Sequence, residues 1–175
     1  MKSSIALIGF MGVGKTAVGR VLARKLKRKF VELDSLIERR AGKSIPEIFR
    51  EEGEVAFRKL EIEVTEAVSR NGNQVIAAGG GVVLNKINID RLKEDSLIVY
   101  LTAPPKVILK RIEAGGERPL LEVTNPTLTI QELLSFRKPF YERAADIKID
   151  TSRLDIDSVV DEIIAKVRQD ASFAL

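Results

Sequence analysis

The chain has no cysteine and no histidine. Disulfides, thiolate metal sites, cysteine nucleophiles and histidine bases are therefore excluded. A general base must come from Asp, Glu or, less suitably, Lys. A bound metal would be a hard cation held by oxygen ligands, with Mg²⁺ first among them. A cysteine-free chain also suits a reducing compartment. No run of about 18 apolar residues occurs, so no membrane span is expected. Met1-Lys2-Ser3-Ser4 leads straight into a short apolar strand, whereas a secretory leader needs a longer apolar region. The expected location is the cytoplasm. An excess of one charge sign is nearly lacking as well: 29 Lys and Arg against 25 Asp and Glu give +4. That excess suits anionic small ligands and is too small to argue for nucleic acid.

What is present is a folded domain. The 175 residues, 45% of them hydrophobic, fit one globular domain spanning 1–175. Short apolar runs at 5–8, 30–33, 74–78, 96–101 and 146–150 read as strands. Helical patterns fill the gaps. Ala17 to Lys27 is one; Phe57, Leu60, Val64 and Val68 mark the face of another. Ile156, Val159, Val160, Ile163, Ile164 and Val167 stripe the last. Alternating strands and helices imply an α/β fold with a parallel sheet covered on both faces. Residues 114–127 break the rhythm, with two glycines, two prolines and no period. Such a stretch is a lid, a binding loop or a plain surface loop. The last seven residues, QDASFAL, are expected to fray.

GFMGVGKT, residues 9–16, follows the first strand and opens the first helix. It matches the phosphate-binding loop G-x-x-x-x-G-K-[ST]. Its glycines let backbone N–H groups turn inward around phosphate oxygens, and the helix N-terminus adds positive dipole. Lys15 can reach the β- and γ-phosphates, and Thr16 offers a hydroxyl to Mg²⁺. A nucleoside triphosphate is implied; the phosphoryl acceptor is not.

Other candidates lie near strand ends, where open α/β sheets bind ligands. Glu32 and Asp34 end the second strand, and period two puts both on one face. One can support Mg²⁺ through water while the other meets an acceptor hydroxyl; equally, Asp34 can be a helix N-cap. Gly79, Gly80 and Gly81 allow close approach of a ligand, or simply a tight turn. Arg58, Arg111, Arg118 and Arg137 each have a plain reading. These are an i,i+3 pair with Glu61, a helix-end cation, a loop charge, and a surface cation beside the disturbing Pro139. Together they suit carboxylate binding and phosphoryl charge. The basic run 24–29 reads as solvated surface.

These motifs closely resemble the shikimate kinase family over nearly the whole chain. GFMGVGKT, the ELD of 32–34, IFREEGEVAFRKLE (48–61), AGGGVV (78–83), ERPLL (117–121) and RKPFY (137–141) carry the likeness. The resemblance implies a three-layer P-loop kinase fold, a five-stranded sheet in order 2-3-1-4-5, a substrate region near 33–61 and a lid near 112–126. It implies transfer of the ATP γ-phosphoryl group to the 3-hydroxyl of shikimate, with Mg²⁺. Asp34 then contacts the acceptor hydroxyl, and Lys15 and Arg118 serve the phosphates. Gly12, Val13, Gly14, Thr16 and Ala17 join Lys15 around ATP, with Arg111 and Arg153 flanking adenine. Arg58, Arg137, Arg118 and the glycines 79–81 hold shikimate, lined by Phe49, Phe57 and Glu61. Thr16 and Glu32 serve the metal, Glu32 through water; many members carry Asp at its position.

The expected partners are ATP and shikimate, with no nucleic acid or membrane, and the expected state is a monomer. Other readings are a kinase for gluconate or a nucleoside monophosphate and, in another class, a nucleotide-dependent protein-binding switch.

Overall fold

In the computed structural model, residues 1–115, 124–153 and 155–174 are described. Five strands form one parallel sheet: β1 (Ser4–Ile8), β2 (Lys29–Glu32), β3 (Gln74–Ala77), β4 (Ser96–Thr102) and β5 (Ile147–Asp150). Their order is β2-β3-β1-β4-β5, as the resemblance implied. Register pairs Ile5 with Val75 on one side and with Leu97 on the other.

Alternation along the central strands sorts the core into two layers. Ile5 and Leu7 of β1 face one side with Leu97, Val99 and Leu101 of β4. Against them pack α1 (Lys15–Leu26), α5 (Pro105–Ala114) and α7 (Ile156–Gln169). Ala6, Ile8, Ile98 and Tyr100 face the other side. That side is covered by α2 (Leu33–Ala41), α3 (Ile45–Ser69), α4 (Lys86–Asp95) and α6 (Pro126–Ala144). A strand buried on both faces needs apolar residues at successive positions, which is why β1 and β4 read as continuous apolar runs.

Several local expectations are corrected. The second strand stops at Glu32, and Leu33 already opens α2. Asp34 therefore sits in the first helical turn, so the period-two placement does not apply, and Glu32 holds the N-cap position instead. α3 begins with a capping box in which Ser44 and Glu47 satisfy each other's backbone N–H groups. It bends at Gly53, whose φ is 83°. Pro139 lies inside α6 without ending it. The tail expected to fray is tied down as far as Ala174, its last described residue. Lys2 N–H donates to Ser172 O at 2.7 Å, and Ala174 N–H donates to Lys2 O at 2.8 Å. Phe173 is buried beneath the Arg28 guanidinium, 4.6 Å from the ring centroid. Arg28 also donates to the carbonyls of Ser3 and Ala174. It thus leaves the solvated surface expected for the run 24–29, whose other cations are exposed. Among the described residues no helix is long and apolar enough to cross a membrane.

Phe173→Ala should lower stability by about 2 kcal/mol in urea unfolding, through the lost ring and its cation contact. An unchanged midpoint would mean that the tail adds nothing to the fold.

Candidate active site

The phosphate loop leaves β1 at Gly9 and enters α1 at Lys15. Gly14 is the N-cap of α1 with φ 99°, a conformation that strains any residue carrying a Cβ. Val13 is buried in the core, so only its backbone faces the loop's interior. Ala17 is exposed. Lys15 Nζ donates to the carbonyls of Gly9 at 2.6 Å and Phe10 at 2.9 Å. Burial lowers its pKa from 10.5 to about 8; Asp34 and Glu32 pull it up, and Arg137 pushes it down. The cation is held ready in the loop's own carbonyls, poorly solvated and short of negative charge. A phosphate supplies what it lacks.

Thr16 Oγ1 donates to Glu32 Oε1, and Ser35 Oγ donates to the other carboxylate oxygen at 3.0 Å. A hydroxyl and a carboxylate in contact at the α1 N-terminus are suitable donors for a hard cation. Among the described residues no group of three or more acidic or histidine side chains gathers for a metal. Such a cation would need phosphate oxygens and water to complete its shell.

A charged cluster gathers around Gly79, Gly80 and Gly81, which follow β3. None of the three has a positive φ, so the constraint on Gly79 and Gly81 is one of space. A Cβ on Gly81 would lie 2.5 Å from both terminal nitrogens of Arg58. One on Gly79 would lie 2.7 Å from Asp34 Oδ1 and 3.4 Å from Glu61 Oε2. The bare backbone thus lets two carboxylates and one guanidinium close on a single turn. Arg58 meets Glu61 at 3.0 Å. This is the expected i,i+3 pair, but Glu61 is only 1% exposed and the pair is no ordinary surface contact. Burial raises the Glu61 carboxyl above its usual range; Arg58 opposes that shift. Asp34 is raised for the same first reason, with Lys15 opposing. Arg137 is not a plain surface residue either: its guanidinium lies over the buried Phe10 ring, 5.6 Å from the centroid. Its Nε is buried without a partner among the described residues. Phe57 is buried and packs against the half-exposed Phe49 with ring centroids 4.8 Å apart.

A second cluster braces the other flank of the phosphate loop. Arg111 donates to Gly12 O at 3.3 Å and to Thr151 Oγ1 at 3.2 Å. The fully buried Thr151 hydroxyl in turn reaches Val13 O at 2.8 Å. Arg153 lies two residues along and is exposed. Arg118 and the centre of the expected lid, 116–123, lie outside the described residues. Sequence reasoning missed Phe10, Thr151 and Tyr141. Tyr141 had a usable signal, because it falls one helical turn after Arg137 in RKPFY.

The family model for shikimate kinase matches residues 11–168. The chain belongs to the shikimate kinase family. A shikimate kinase of Caldanaerobacter subterraneus is 48% identical over 161 residues, covering 92% of this chain and 94% of that one. The shikimate kinase of Acinetobacter baumannii, solved in complex with shikimate, superposes with a TM-score of 0.90 at 38% identity, covering 96% of this chain and 94% of that one. That of Aquifex aeolicus gives 0.83, also at 38% identity, covering 94% and 96%. Family membership accounts for the P-loop that leaves β1.

In the ligand-free protein, Lys15 should lose its proton near pH 8, because burial disfavours the ammonium. Its acetylation rate, followed by mass spectrometry, should rise through that pH, and added nucleotide should move the rise upward. A profile centred near the ordinary lysine value would refute the burial effect.

Proposed function

We propose that this protein transfers the γ-phosphoryl group of ATP to the 3-hydroxyl of shikimate, giving shikimate 3-phosphate and ADP. This is the shikimate-phosphorylating step of aromatic amino-acid (chorismate) biosynthesis. The observation that carries the proposal is the cluster of Asp34, Arg58, Glu61 and Arg137 closing on the triple glycine opposite Lys15. The acceptor is a carboxylate bearing several hydroxyls. Two guanidiniums suit its carboxylate, and one carboxylate suits a hydroxyl. The shikimate-bound relative from Acinetobacter baumannii supports that choice. Gluconate or a nucleoside monophosphate as acceptor, and a slow protein-binding switch, are not favoured by this family membership.

Arg58 and Arg137 hold the acceptor, with Phe49 and Phe57 against its ring and the backbone of 79–81 beside it. Glu61 aims Arg58. Asp34 faces the reacting hydroxyl, and its raised pKa makes it the better proton acceptor. The acceptor oxygen bonds to the γ-phosphorus as the β–γ bridging bond breaks, and ADP leaves. The hydroxyl proton passes to Asp34 late, since positioning and charge neutralisation dominate this chemistry. Gly12, Val13, Gly14 and Ala17 present backbone to the phosphates, and Lys15 neutralises charge there. Arg111 and Arg153 flank the adenine, and Arg118 reaches in from a lid near 112–126. Thr16 and Glu32 fit Mg²⁺, which when bound neutralises phosphate charge. The chain acts as a single domain with its substrate region near 33–61, as a monomer in the cytoplasm, without nucleic acid or membrane. Its lack of cysteine suits that compartment.

Asp34→Asn should cut shikimate-dependent ADP release by about 10²-fold or more while ATP still binds. Wild-type ADP release that ignores shikimate, in a preparation that binds ATP, would refute the acceptor. Joint binding of nucleotide and shikimate should also protect Glu117 and Glu122 from a glutamyl endopeptidase. Equal cleavage with and without ligands would count against a closing lid.

A further inference from the structure

Three glycines in succession make a poor wall for a binding site. Each is freer than any other residue, and nothing in their own side chains anchors the turn. Two of the three carbonyls are tied locally: Gly79 O accepts from Val82 N–H and Gly81 O from Leu84 N–H, both at 3.1 Å. The Gly80 carbonyl is turned the other way, towards α6. There it accepts a hydrogen bond from the Tyr141 hydroxyl at 2.5 Å.

Tyr141 is fully buried, and its ring stacks on Tyr100 with centroids 5.0 Å apart and planes 21° from parallel. The donor is thus held rigidly by the core rather than by solvent-facing packing. It also shares a helix face with Arg137, four residues earlier. Gly80 sits at the join of the two halves of the site. A methyl added there would lie 3.5 Å from Arg137 Nη1, 3.7 Å from Met11 N and 3.8 Å from Gly9 O. Whatever fixes Gly80 therefore fixes the acceptor turn against both the guanidinium and the phosphate loop. A trans peptide is planar, so aiming the Gly80 carbonyl at α6 also aims the Gly81 N–H in the opposite direction.

We propose that Tyr141 is a positioning residue: its hydroxyl tethers the Gly80 carbonyl, setting the Gly80–Gly81 peptide and its spacing from Arg137 for acceptor binding. It touches neither substrate and acts through the backbone. Tyr141→Phe keeps the ring and the stack on Tyr100 and removes the hydroxyl, which carries the tether and a side-chain contact with Arg137; the exchange readout reports on the tether itself.

The experiment measures Tyr141→Phe beside the wild type and Tyr100→Phe. The expected result is a shikimate KM raised about tenfold, the scale of one lost buried hydrogen bond, with the ATP KM within about twofold. Amide exchange across 80–84 in the ligand-free protein should quicken in Tyr141→Phe alone. Tyr100→Phe keeps the tether and should match the wild type in both readouts. A lower Tm with both KM values unchanged, or moved together, would make Tyr141 a structural residue and overturn the proposal. So would faster exchange without a shift in shikimate KM, or exchange that stays at the wild-type rate. The kinetic arm rests on shikimate as acceptor; the exchange arm does not. If the wild type ignores shikimate, that functional reading fails, and the exchange rates still decide the tether.

Discussion

All five strands run in one direction, and the rest of the molecule depends on that constraint. Parallel strands need crossovers, so every loop that follows a strand leaves from the same edge of the sheet. With β1 between β3 and β4, the phosphate loop emerges beside the glycine turn of β3 on one flank. On the other flank it meets the ends of β4 and β5. The two halves of a phosphoryl-transfer site are thus brought together by strand order, not by any contact between neighbouring residues in the sequence.

The edge so formed concentrates charge where water is scarce. Lys15, Asp34 and Glu61 are too poorly solvated to hold ordinary proton affinities. Burial weakens the lysine's hold on its proton and strengthens that of the two carboxyls. Neither shift is relieved within the ligand-free protein. An incoming phosphate would favour the lysine cation, and an incoming carboxylate would offer Arg137 Nε the partner that no described residue gives it. Binding and charge compensation become one event, which is how a small site gains selectivity for anions.

Rigidity around the site comes from side chains outside it. Thr151 and Arg111 brace the phosphate loop from the β5 side through its carbonyls. Tyr141 plays the matching part for the glycine turn from α6. Both braces act on backbone carbonyls, because the loops they hold are glycine-rich and offer little else to grasp. The tail strand-mate Phe173 and its cation Arg28 close the opposite edge of the sheet and leave the ligand edge free.

Much was legible without coordinates. Continuous apolar runs announced strands buried on both faces, and the spacing of Gly9, Gly14, Lys15 and Thr16 announced a phosphate cradle, because local chemistry suffices for both. The resemblance supplied the strand order. Glu32 and Asp34 show the limit. Period two placed them on one face of a strand, but α2 begins between them, since packing of Leu33 and Ile37 outweighs local strand preference. Pro139 read as a disturbance of the helix, and α6 runs through it. The tail read as frayed, yet it docks through a pairing with Lys2 that no local pattern could announce. The sequence by itself determined the fold class, the phosphate loop and the types of charge available. Only the tertiary structure decided which charges share a desolvated edge and which backbone groups are tethered, because those depend on residues dozens of positions apart meeting across the sheet.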